Sequence, residues 1–125
     1  MIRHPFAVLA LALVCATVVS AAGFPIYEGA TALCEVVSAG SPREKAAAEL
    51  LIETVAAMGG PRLPLVARPS GERPAIHVGG TDFANALSNG FPAGCDRDAF
   101  LIRLADPANL VLLGKCPVAT GYAVR

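Results

Sequence analysis

The residues with types suited to chemistry are few: Cys34, Cys95, Cys116 and His77, with the pair Asp96 and Asp98. A thiol beside an imidazole is the pattern of a nucleophile and its base. Cys34 and His77 both fall in runs of β-forming residues, and no third residue that would orient the imidazole is readable. The preferred reading is a buried thiol and an ordinary strand histidine. The same four Cys and His side chains would make a Cys₃His zinc set, but no two of them share the Cys-x-x-Cys spacing that marks such sites. Asp96 and Asp98 invite an acid–base reading. They flank Arg97 in a loop entering a strand, where a solvated turn is the commoner outcome. Gly79-Gly80-Thr81-Asp82 has the form of an anion nest. It lacks Lys, and Asp82 would repel phosphate, so a turn and helix cap is preferred. Lys45, Glu49 and Glu53 read as a solvated helix face. Phe91-Pro92 and Tyr122 offer rings to a sugar-facing edge or, equally, to a neighbouring domain. No catalytic, cofactor or metal residue is assigned.

Length and charge narrow the classes further. The chain has 125 residues, with 10 basic and 10 acidic side chains. Met1 to Ala22 reads as a secretory signal peptide: Arg3 and His4, then an apolar run from Phe6 to Val19, then the small residues Ser20-Ala21-Ala22. The run is shorter than the ~20 residues of a membrane span, and Leu13-Val14 before Cys15 argues against a lipoprotein site. Cleavage removes one basic residue, Arg3, and no acidic one, leaving a charge of −1 on residues 23–125. No basic stripe or aromatic platform points to nucleic acid. The expected product is secreted or periplasmic, with no membrane attachment after cleavage and enough chain for one modest core.

The elements that must position these residues centre on Ser41 to Gly60. Ser41 and Glu44 form a Ser-x-x-Glu capping box, in which the Glu44 carboxylate is expected to return a bond to the Ser41 amide. Pro42 suits the first helical position, and Gly59, Gly60 and Pro61 stop the helix. Pro42 to Met58 would reach about 25 Å at ~1.5 Å per residue. Ala48, Leu51, Ile52, Val55 and Met58 make its apolar stripe.

Around this helix, Gly23 to Thr31 reads as an extended lead-in, and Leu33–Val37 as a first strand. Leu63–Val66 reads as a short strand, with Pro64, which cannot donate to a ladder, at a sheet edge or at the strand's start. Ile76-His77-Val78 is a strand with His77 on the face opposite its neighbours. Thr81 caps a short helix through Leu87, ending near Asn89-Gly90, and Phe91 to Asp96 is a loop. Phe100–Leu104 and Leu110–Leu113 form a hairpin about Asp106-Pro107-Ala108-Asn109. With the turn centred on Pro107-Ala108, Leu104 lies near Asn109 and Asp98 near Lys115. Cys95 then falls within a few residues of Cys116, the pair most able to form a disulfide, with Cys34 left over. A last helix begins at Val118. The expected fold class is α+β: a mixed β-sheet of about four to five strands with one long helix packed on one face.

Three stretches then carry a resemblance: AAAELLIETVAAMGGPRLPLV, AIHVGGTD and DAFLIRLADPANLVLLGKCPVATGYAV. Together they resemble the small N-terminal domain that precedes the catalytic barrel in bacterial α-glucuronidases, and its counterpart (domain 2) in β-hexosaminidases. The likeness covers Leu33 to Val124. Where that family has Pro-Arg-Gly, this chain has Pro117-Val118-Ala119, and Tyr122-Ala123-Val124 follows on schedule. The resemblance implies that residues 23–125 are a non-catalytic accessory domain of an exported glycoside hydrolase acting on polysaccharide, truncated in its last helix. Its partners would be a downstream catalytic domain of the same protein and, through it, carbohydrate. A free-standing secreted binding module with no enzymatic activity is the alternative.

Overall fold

The computed structural model describes residues 23–87, 91 and 94–125. The signal-peptide stretch with Cys15, the Asn89-Gly90 helix stop and Pro92 lie outside the described residues. After a two-residue hairpin, β1 (Tyr27–Glu28) and β2 (Thr31–Ala32), the elements run β3 (Glu35–Ser38), α1 (Pro42–Ala57), β4 (Leu65–Val66), β5 (Ala75–Val78), α2 (Asp82–Leu87), β6 (Phe100–Asp106), β7 (Asn109–Gly114) and α3 (Pro117–Val124). The β1–β2 hairpin replaces the extended lead-in, and Gly29 supplies its turn with φ +59°.

The main sheet has five strands in the order β4-β3-β5-β7-β6. β3 is parallel to β4 and β5, β5 is parallel to β7, and β6 runs antiparallel to β7. The mixed sheet and α+β class are those the sequence leads one to expect. Helices cover both faces, so the central parallel strands are buried nearly throughout. On one face Val36, Ile76, Val78 and Leu112 pack under Ala47, Ala48, Ile52 and Val55 of α1 and Ala123 of α3. On the other, Val111 and Leu113 pack with Ala84, Phe83 and Leu87 of α2, together with Phe91 and Leu101. β4 is a short edge, where Pro64 gives its carbonyl to the Val36 amide at 2.8 Å.

Local chemistry sets the ends of α1. Ser41 is extended (φ −74°, ψ 146°), and its hydroxyl accepts the Glu44 amide at 3.2 Å. At the other end Gly59 sits at φ +94°, its amide bonded to the Ala56 carbonyl at 3.1 Å and that of Gly60 to Val55 at 3.0 Å. This is the double bond of a Schellman stop. The helix therefore ends one residue before Met58, which is 71% exposed and not part of the buried stripe. Ala47 is buried in its place, and Leu51 is half-buried against the core.

The hairpin register is one residue off the expected one. Leu104 pairs with Leu110 and Phe100 with Gly114, and an irregularity between Leu104 and Asp106 absorbs the extra residue. Asp106 shapes the turn, accepting the Ala108 amide at 2.8 Å and the Asn109 side-chain amide at 3.0 Å. At the far end of β7, a Cβ on Gly114 would lie 2.1 Å from the Thr120 nitrogen. The Gly114 amide donates to the buried Thr120 hydroxyl at 2.9 Å, seating α3 on the sheet.

Candidate functional site

β3 sends its chain outward through α1 to β4, whereas β5 sends its chain through α2 toward the opposite edge. The two loops leave the sheet on opposite faces, and a crevice opens between the carboxyl ends of β3 and β5. In sheets of this kind such a switch point is where ligands bind. A cleft of about 390 Å³ occupies this position. Val37 and His77 form its floor, Ser38 to Gly40 its rim, and Ala67 to Pro69 one wall. Gly80 to Phe83 form the other wall.

Each wall is fixed by a carboxylate, buried at Glu35 and half-buried at Glu44. Glu35 is unassigned from the sequence, and Glu44 is expected there only as part of the capping box. Glu35, 2% exposed, accepts the Ser70 amide at 3.3 Å and the Ser70 hydroxyl. This ties the Arg68–Pro74 loop to β3. Glu44 accepts the Ser41 hydroxyl at 2.7 Å and the Gly80 amide at 2.6 Å. The capping box thus differs from expectation: its carboxylate takes the Ser41 side chain and a distant loop amide. Gly79-Gly80 is a turn, as preferred: the Gly79 amide donates to the Leu112 carbonyl at 2.8 Å, and only the Gly80 amide reaches Glu44. Thr81 caps α2 as expected, accepting the Ala84 amide at 3.2 Å.

His77 is fully buried between the walls, its ring stacked on Phe83 with centroids 4.4 Å apart and planes 15° from parallel. Its partners determine its tautomer. The Asn109 Nδ2 group donates to Asp106, so Asn109 Oδ1, 2.9 Å from His77 Nε2, must accept. His77 Nε2 therefore carries the hydrogen, and Nδ1 accepts from the Thr81 hydroxyl at 3.3 Å. Both ring nitrogens are engaged, and the ring braces the hairpin turn against the start of α2.

Cys34 and His77 are not brought together. Cys34 lies in the α1-side core, with Sγ donating to the Ile26 carbonyl at 3.6 Å, whereas His77 faces α2. Burial pushes the Cys34 thiol up to about 11, opposed by the Arg73 charge and aided by that of Glu35. Asp96 and Asp98 are exposed, and Asp96 accepts the Arg97 amide at 2.8 Å as a turn residue would. Cys95 and Cys116 are both half-buried free thiols at the open end of the β6–β7 hairpin. Lys115 Nζ donates to the Cys95 carbonyl, and Cys116 Sγ donates to the Arg97 carbonyl at 3.4 Å. Among the described residues no group of three or more His, Cys, Asp or Glu converges as a metal set would. Lys45, Glu49 and Glu53 are all exposed. Phe91 is half-buried in the second core, and Tyr122 is 40% exposed beside α1.

No family model matches the chain, and no curated protein matches it significantly. Among the described residues no helix is long and apolar enough to cross a membrane.

Proposed function

We propose that residues 23–125 form a non-catalytic accessory domain of an exported protein of the glycoside-hydrolase type, working in a secreted or periplasmic setting beside a catalytic domain. The observation that carries the non-catalytic part is the state of His77. Among the described residues it is the one imidazole in the cleft, and both its nitrogens are bonded within the fold, to Asn109 and Thr81. A general base needs a nitrogen within reach of a substrate proton, and here neither is open. Cys34 supplies no nucleophile, since a thiol is reactive as thiolate and burial holds this one protonated.

The accessory part rests on the resemblance and on apolar surface suited to a neighbour. Phe100, Ile102 and Leu104 project from one side of the edge strand β6 and are 47%, 60% and 51% exposed. Exposed apolar rows of this kind mark interaction surfaces. Sequencing the gene locus past codon 125 tests the reading. An open frame entering a barrel-sized region with paired carboxylates supports it. A stop codon, with a monomeric and cooperatively folding product, overturns it in favour of a free-standing binding module.

A further inference from the structure

We propose that the cleft between the carboxyl ends of β3 and β5 binds one uncharged polyhydroxylated ring, of the size of a single pyranose. At about 390 Å³ the cleft lies at the small end of ligand pockets, which run from ~300 to ~1,000 Å³. Its base is closed by Val37 and by the His77–Phe83 stack, so a ring enters from the Gly40 side.

The polar groups around that floor select the ligand's chemistry. Arg68 stands on one wall and Asp82 on the other, both exposed. Behind the second wall, the Glu44 carboxylate lies against the Gly80 amide. Two carboxylates against one guanidinium disfavour phosphate or a carboxylate ligand, and Arg68 disfavours an ammonium ligand. A guanidinium only donates and a carboxylate only accepts. A hydroxyl does both, so a ring with neighbouring hydroxyls can satisfy each wall.

The inner hydroxyls narrow the choice further. Ser38 spends its hydrogen on the Ala39 carbonyl at 2.9 Å. Thr81 spends its hydrogen on His77 Nδ1 and one lone pair on the Ala84 amide. Each enters the cleft as an acceptor, ready for a ligand O–H. The locked His77 tautomer thus has a consequence for binding: it holds the Thr81 hydroxyl in the accepting sense. This inference stands apart from the accessory-domain proposal, because a free-standing module would use the same cleft.

Titration of the ¹⁵N-labelled full chain with methyl glucoside, glucuronate and glucosamine tests it, read by amide shifts and by saturation transfer to the ligand. Methyl glucoside is expected to shift the Gly40, Arg68, Thr81 and Phe83 amides with a millimolar Kd. Glucuronate and glucosamine should bind at least fivefold more weakly. Arg68→Gln and Asp82→Asn, both at exposed positions, should each raise the methyl glucoside Kd at least tenfold while leaving the remaining spectrum and the Tm unchanged. Glu53→Gln, on the far face of α1, should leave the Kd unchanged. The proposal is overturned if no cleft amide moves with the neutral sugar, if glucuronate or inorganic phosphate binds more tightly than it, or if both cleft variants bind it as the parent does.

Discussion

Glu44 Oε2 accepts the Gly80 amide at 2.6 Å, so the carboxylate that completes the cap of α1 also holds the loop leaving β5. The contact leaves no room beside it: a Cβ on Gly79 would lie 2.0 Å from Oε2, and Gly79 sits at φ +84°. Gly79→Ala is expected to cost roughly 3 kcal/mol or more, because it adds both a clash and left-handed strain. Glu44→Ala alone should cost about 1–3 kcal/mol, by leaving the Gly80 amide without its partner. In the double variant the clash is gone and only strain and the lost bond remain, so the two losses should be less than additive in urea titrations.

The α1 face is checked by truncation. Ile52 is 1% exposed, and Ile52→Ala is expected to cost about 2–5 kcal/mol. Met58→Ala and Glu49→Ala, at exposed positions, should each stay within about 0.5 kcal/mol. Leu51, half-buried at the margin of the core, should fall between these limits. Equal losses at Ile52 and Met58 in denaturant titrations would place the core on the wrong side of the helix.

Cys34 should make the fold alkali-sensitive. Its thiol is raised from 9.0 to about 11 by burial, so the folded state holds the proton more tightly than the unfolded chain. The contribution is complete below pH 9 and is lost as pH rises through about 11, with a loss on the order of 2–3 kcal/mol. The difference between parent and Cys34→Ala unfolding curves, measured from pH 7 to 11, should shrink over that window. A flat difference would refute the assignment.

Oxidation of the full chain is expected to join Cys95 to Cys116. Both thiols sit at the open end of one hairpin, whereas Cys34 is fully buried in the α1-side core. Non-reducing peptide mapping reads the outcome, and a peptide joining Cys34 to either partner would defeat it. Closing a loop of this size should raise stability by roughly 3 kcal/mol.

What could be read from the sequence follows the range of the interactions. The Ser41 half of the α1 cap, its Gly59 stop, the Thr81 cap and the Asp106 turn are each decided within a few neighbouring residues, and these formed. The Glu44 half of the box did not form as expected. Alternation alone placed His77 opposite Ile76 and Val78. The hairpin register slipped by one because the irregularity near Leu104 depends on how the Asp106 side chain engages Ala108 and Asn109. The cleft was not legible. Glu35 meets Ser70, Glu44 meets Gly80, and His77 meets Asn109 across separations of more than 30 residues. The one available signal was a glutamate inside the apolar run Cys34-Glu35-Val36-Val37, since such a residue must find a partner.

The strand order also bears on biosynthesis. β7 takes the place beside β5 although β6 is made first. As the chain leaves the ribosome, the ladder edge of Ala75–Val78 therefore stays open until Asn109–Gly114 has emerged. At ~5–20 residues per second that interval lasts a few seconds. The central sheet thus cannot close early, and its parallel core forms only once β7 has been synthesised.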